Sequence, residues 1–421
     1  MAQPLPTIEA MSDAPLPESC DVLVVGAGPA GSACAQMLAR SGLHALLVDQ
    51  HDFPRDKICG DGLIPDAHAA LRRLGLYDEV MAQAQLARHV ACIGPRGGRV
   101  DVPGSVAVLP RKQLDHILVR AAQRAGADVR TPWRFEAPLL DDGKVIGARL
   151  KSSDKVCEVR APWVVLATGA PPQAMIASEL CQRRTPTGIA LRGYVKNEAM
   201  VGRIRALEIV WHKRLKHGYG WIFPCPGGVF NIGVGLADCF SLAGSTRLRM
   251  QDVNLRQVFE AFCEIYAPAR ELMAGGMPLG ELKGAPLRCS LDGALYSRAG
   301  LLATGEAIGS TYDFSGEGIG KAMQTGMLAA AAVAKGREQK LGDGAVREDY
   351  EASIRALQPR FELYRKASRV NAHPWLADLV IWRARNSERI LRRMSGVLEE
   401  TANPGNLVSA RGIAKLFLPI R

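Results

Sequence analysis

The chain has 421 residues, 48% hydrophobic and 23% charged, which is the balance of an ordinary globular protein with room for more than one domain. Its net charge of +11 is uneven, with 13 Lys and Arg against 6 acids from Glu351 onward; no nucleic-acid module accompanies the charge, so nucleic acid is excluded while an acidic partner protein or peripheral membrane contact stays open. No two of the ten cysteines lie within four residues of each other, which excludes zinc and thioredoxin spacings and suits thiols in a reducing cytoplasm, and no apolar run reaches the roughly 18 residues of a membrane span.

Residues 1–19, with four prolines and three acids, read as a disordered leader rather than a signal peptide. The first regular element is the apolar run from Asp21 to Val25, a buried strand by its Val content. It ends in Gly26-x-Gly28-x-x-Gly31, with Pro29 and Ala30 inside the turn, and the stretch Ser32 to Arg40 has helical spacing. In a strand–turn–helix unit Gly26 permits the turn, Gly28 lets backbone approach a pyrophosphate, and Gly31 lets helix and strand pack closely. A second apolar run, 44–48, ends at Asp49, 23 residues after Gly26, where a carboxylate meets an adenosine ribose. These residues predict a dinucleotide site.

Next comes an irregular loop, 51–63, carrying Pro54, Lys57, Cys59, Gly60 and Gly62, and then a helix over Pro65 to Leu74. A dinucleotide unit followed by P-x-x-K-x-C-G-x-G-L resembles the geranylgeranyl-reductase branch of FAD-dependent oxidoreductases, which share the p-hydroxybenzoate hydroxylase fold. The resemblance implies FAD as cofactor, with Lys57, Cys59 and Gly60 beside it and Cys59 as the cavity cysteine. It continues through Arg111 of an R-x-x-L-D segment, on the FAD phosphate or ribose; Val129, bordering the adenine; and Gly169 of an A-T-G turn.

From about 187 to 285 alternating patterns, as in Gly188 to Tyr194 and Val229 to Gly235, predict half-buried antiparallel strands. Between them Tyr219, Trp221 and Phe223 have period two and so share one face. They resemble the branch's Y-x-W-x-F-P motif; with Tyr194 they are expected to face a bulky apolar or aromatic substrate. The last glycine-marked strand, 301–305, leads into a segment like the family's G-D-A-x-G and G-E-G-I motifs. By that resemblance Gly305 and Glu306 meet the ribityl chain, and Gly316, Gly318 and Ile319 set a helix N-terminus under the flavin pyrimidine. Glu306 replaces the usual Asp, and Asp313 stands where the family has Pro. After Leu328 the pattern is helical to about Ser395, with breaks at Pro359 and Pro374 and an apolar cluster at 375–382.

The expected fold is α/β: a Rossmann-like FAD-binding domain over 20–180 and 286–335, an inserted antiparallel substrate domain over 181–285, and a basic helical region over 336–421. One dinucleotide fingerprint leaves NADH or NADPH as a transient donor. Two chemistries fit the resemblance. One is hydroxylation of a bulky aromatic ring with O2, which could be a Trp side chain of an acidic partner polypeptide, with Asp313 or another local base accepting the proton. The other is hydride transfer to isoprenoid double bonds. The departures from the family pattern, Ala170-Pro171-Pro172 after the A-T-G turn and Asp313 for Pro, together with the basic surface, place hydroxylation narrowly first. Halogenation ranks third, and a flavin-binding assembly protein without turnover is the non-enzymatic alternative.

Overall fold

A computed structural model describes residues 15–237 and 253–404. The apolar runs form one sheet in the order Ser297–Arg298, Leu301–Ala303, Trp163–Leu166, Val22–Val25, Ala45–Val48, Asp128–Arg130, parallel except at the Ser297–Arg298 edge. All eight residues of Val22–Val25 and Ala45–Val48 are buried, as continuous apolar runs in a covered parallel sheet must be. The helices Pro29–Arg40 and Ile319–Glu338 pack together closely: a Cβ on Gly326 would stand 2.1 Å from the Ala30 carbonyl oxygen. A three-stranded meander, Arg134–Asp141, Lys144–Ser152 and Lys155–Arg160, joins the same core through Val145, Ala148, Leu150 and Val159.

The end of the expected leader is corrected. Arg160 exchanges backbone hydrogen bonds with Glu18 (2.9 Å) and Cys20 (3.0 Å), and Leu16 is buried, because the meander's outer strand has backbone groups to satisfy. Residues 1–14 lie outside the described residues.

The antiparallel region is larger than its expected 181–285. Gly188–Lys196, Val229–Ala237, Gly218–Pro224 and Leu207–Val210 pair in that order, and the sheet continues through Gln85–Ile93, Arg99–Val108 and Gly62–Leu63 from the segment ahead of it. Leu207–Val210 and Gln85–Ile93 run parallel.

The basic region folds into helices that include Gln358–Ala367, Trp375–Arg385 and Glu388–Leu398. Pro359 and Pro374 stand at helix starts, where a missing N–H costs nothing. Leu376, Val380 and Ile381 pack on Val90, Val100 and Val102 of the second sheet. Gly104 in the facing strand Arg99–Val108 makes this approach possible: a Cβ there would lie 2.3 Å from Leu398.

Candidate active site

A cavity of about 1130 Å³ runs between the two sheets and under the C-terminal helices. At one end stands the glycine turn. Gly26 has φ +101°, a Cβ on it would lie 2.4 Å from the Ala167 carbonyl oxygen, and one on Gly31 would lie 1.8 Å from that of Gly26. Both glycines are therefore required by packing alone. Gly28 differs. It is the N-cap of Pro29–Arg40 with φ −75°, and the nearest atoms to its Cβ position are the guanidinium nitrogens of Arg55 and Arg111, at 3.7 and 3.9 Å. Asp115, fully buried, binds Arg111 at 2.6 and 2.8 Å and Arg55 at 3.1 Å. Asp115 thus orients two guanidiniums, with N–H donors to spare, at a helix N-terminus, an arrangement suited to a diphosphate.

Asp49 closes this end. It accepts the N–H groups of Ala27 (2.8 Å) and His51 (3.0 Å) and lies 3.7 Å from Arg55. Burial works to raise its pKa, but the His51 hydrogen bond, the Arg55 charge and the amides outweigh burial and hold the carboxyl below its usual range. Gly26, Gly28, Pro29, Ala30, Asp49, Lys57, Cys59, Gly60, Arg111, Gly169, Glu306, Gly316, Gly318 and Ile319 all line the cavity. Gly31, Val129 and Gly305 do not. Gly31 is buried in the turn, Val129 sits within the edge strand Asp128–Arg130, and Gly305 abuts Ala30, where its Cβ would come within 2.7 Å. Gly318 caps Ile319–Glu338, so that helix begins at the cavity wall.

Tyr219, Trp221 and Phe223 line the next section, with successive ring centroids 6.3 Å apart. Gly60 brings the cysteine loop onto this strand; its Cβ position is 3.3 Å from the Phe223 ring. Tyr194 is corrected: it lies outside the lining, and its hydroxyl donates to Asp61 while its ring stacks on Arg192 at 4.2 Å. Asp61, which sequence reasoning passed over, also accepts from Asn231 Nδ2 at 2.7 Å and from the Arg111 N–H at 3.2 Å. Asn231 in turn accepts from Trp221 Nε1 at 2.9 Å and donates to the Cys59 carbonyl at 2.8 Å. This network ties the cysteine loop to the aromatic strand.

Burial pushes the Cys59 thiol up, against the Arg111 charge, so Cys59 presents a neutral thiol; Lys57 contributes little. Burial also pushes Asp61 up to about 6, against the hydrogen bonds of Tyr194 and Asn231. A carboxyl raised on folding loses stability as pH rises from its unfolded pKa through about 6. Relative to Asp61→Asn, the wild type is therefore expected to lose roughly 2 kcal/mol between pH 4 and pH 7. Urea unfolding at both pH values checks this; a pH-independent difference would contradict it.

Asp313 is corrected too. It is buried and absent from the lining, which its neighbours Thr311 and Phe314 form; its charge acts instead on Cys289, whose backbone bridges to Thr311. Its carboxyl is therefore not among the groups that line the cavity. The residues that sequence reasoning missed are Arg55, Asp61, and the stacked pair Trp211 and Phe314 (6.5 Å, 12°), which extend the aromatic wall. Beyond them the cavity becomes an apolar arm between Val90, Val102 and Leu207 of the sheet and Ala377, Val380, Ile381, Val397 and Leu398 of the helices. The volume exceeds the about 300–1,000 Å³ of a single small-molecule site, so a dinucleotide and a second ligand can share it.

The FAD binding domain family model matches residues 19–183. The chain is 31% identical over 346 residues to a menaquinone reductase of Mycolicibacterium smegmatis, covering 75% of this chain and 76% of the relative. It is 27% identical to digeranylgeranylglycerophospholipid reductase 1 of Methanopyrus kandleri over 90% of this chain and 98% of that one. Among solved structures, a geranylgeranyl bacteriochlorophyll reductase-like protein of Thermoplasma acidophilum superposes with a TM-score of 0.68 at 22% identity, covering 95% of this chain and 96% of the other. With the glycine turn, the arginine pair and the cysteine loop gathered on one cavity, the chain belongs to the geranylgeranyl-reductase-like branch of FAD-dependent oxidoreductases, built on the p-hydroxybenzoate hydroxylase-type fold.

Proposed function

We propose that the protein is a reductase that adds hydrogen across a double bond of a long isoprenoid chain. The observation that carries this reading is the apolar arm: it belongs to the same cavity as the aromatic wall and is lined on one side by helices whose inward side chains are aliphatic. A prenyl chain has no polar groups to satisfy, so such an arm suits it and offers nothing to a polar substrate. The names of the relatives support the same substrate class, since menaquinone and digeranylgeranylglycerophospholipid both carry isoprenoid chains. Aromatic hydroxylation, with O2 as oxidant, loses Asp313 as its first-named base, since Asp313 is off the lining, and would need another local base such as Glu317.

In this reading Gly28, Arg55, Arg111 and Asp49 hold the FAD diphosphate and ribose, while Glu306 and the Gly316–Ile319 turn face its ribityl and ring end. FAD, reduced by NADH or NADPH, supplies the hydride. Tyr219, Trp221 and Phe223 orient the double bond, and Cys59 holds a proton at Sγ beside it. The helices over the arm exclude water.

The reading is tested anaerobically with the dithionite-reduced holoprotein and an isoprenoid alcohol that has no quinone ring. Flavin reoxidation matched by a saturated double bond is expected; a flavin that stays reduced for hours with chains of every length would overturn the proposal. Ala377→Phe, which projects a ring into the arm, is expected to lower kcat/KM for a long chain at least about tenfold more than for a short one. Equal losses on both chain lengths would show that the arm does not hold the chain.

A further inference from the structure

The two C-terminal helices have an inner face that lines the arm and an outer face that meets solvent. On the outer face Trp375 and Trp382 are 58% and 53% exposed. They are seven residues apart on Trp375–Arg385, two turns along one side, opposite the buried Ala377, Val380 and Ile381. Two large aromatics held in water this way have the amphipathic character of bilayer-interface side chains. They sit in a basic field. Between residues 365 and 398 there are eight Lys and Arg against two acids, and Arg385, Arg389, Arg392 and Arg393 are exposed. Both acids are engaged: Asp378 accepts the Arg96 N–H at 3.0 Å, and Glu388 lies 3.7 Å from Arg392.

We infer that this outer face docks on an anionic lipid bilayer, so that the helices lining the arm are also the ones that meet the membrane holding its substrate. The inference rests on the isoprenoid reading above. A long prenyl chain has almost no aqueous concentration, so an enzyme acting on one must take it from a bilayer. No helix among the described residues is long and apolar enough to cross a membrane, so contact through this face is interfacial. Trp side chains at headgroup depth supply the apolar share of binding, and the arginines select anionic lipid.

The test is sedimentation of the FAD-loaded full chain with phosphatidylcholine vesicles with or without phosphatidylglycerol. Binding to the anionic vesicles alone, weakened by high salt, is expected. The double variants Trp375→Ala/Trp382→Ala and Arg389→Glu/Arg392→Glu are each expected to bind at least about tenfold more weakly while keeping full flavin content. Both are also expected to match the wild type on detergent-dispersed isoprenoid and to fall behind it when the isoprenoid is embedded in vesicles. A wild type that fails to sediment, or variants that sediment as well as it does, would overturn the docking face. Binding to polyglutamate as tight as to vesicles and indifferent to the Trp changes would overturn it in favour of an acidic protein partner. Vesicle binding with no reduction of any isoprenoid in detergent would remove the substrate reading while supporting the surface, so the two failures are distinct.

Discussion

Gly28→Leu is expected to give a folded protein with no flavin. The Gly28 backbone, at φ −75°, suits any residue, and beyond its chain neighbours no protein atom lies closer than 3.7 Å to its Cβ position, so the fold has no reason to object. The new side chain instead fills the space before the Arg55 and Arg111 guanidiniums, which in our reading belongs to the diphosphate. Loss of those charge-assisted contacts and of the helix N-terminus is expected to weaken FAD binding by about a hundredfold or more. Flavin absorbance per mole of purified protein, with circular dichroism as the folding control, measures it. Gly31→Ala is the contrast: its methyl would lie 1.8 Å from a backbone oxygen, so that variant should lose the fold along with the flavin. Stoichiometric flavin in Gly28→Leu would place the cofactor elsewhere.

Lys321→Met is expected to cost about 3–5 kcal/mol of stability at pH 7. Lys321 lies buried on Ile319–Glu338, 2.7 Å from Glu400 and 3.6 Å from Asp66. Glu400 also accepts the Tyr312 hydroxyl at 2.8 Å and pairs with Arg360, so this cluster fastens the end of the C-terminal helices to the long helix at the cavity. Burial pushes Asp66 up to about 6 even with Lys321 beside it, and pushes Glu317, which lines the cavity, well above its ordinary value. Glu400 is held below its ordinary value by Lys321 and its hydrogen bonds, against the effect of burial. Without the cation the folded pKa values of all three acids rise. They then bind protons in the folded chain where the unfolded chain does not, so the deficit is greatest near neutrality and shrinks as pH falls toward the ordinary carboxylate range. Denaturant midpoints at pH 7 and pH 5 measure this; an equal deficit at both would mean the charges are not coupled.

The parallel sheet was legible in the sequence because its strands are covered on both faces and several end in glycine turns, so Val22–Val25 and Trp163–Leu166 read as uninterrupted apolar runs. The aromatic strand was legible from its period of two. Gln85–Ile93 was not: its burial breaks alternation, with two exposed residues on either side of Ala87 and then four buried in succession. Trp375–Arg385 hid its role for a related reason. It is apolar on the face toward the arm and carries Trp375 and Trp382 on the other, so no single stripe marks its inner side. Arg55 and Asp61 lie in an irregular loop, and only the fold brings them to Asp115, Asn231 and Tyr194. Asp313 illustrates the converse. Its neighbours Thr311 and Phe314 reach the cavity as the motif suggests, while its own side chain does not.

Saturation of an isoprenoid double bond at this site would show in the mass of the product. Holoprotein with NADH or NADPH and a prenylated quinone, sampled with and without O2, is expected to yield product heavier by two hydrogens per turnover, located in the chain and formed equally well without oxygen. A product heavier by one oxygen, formed only in air, would contradict the account and return the site to oxygen transfer.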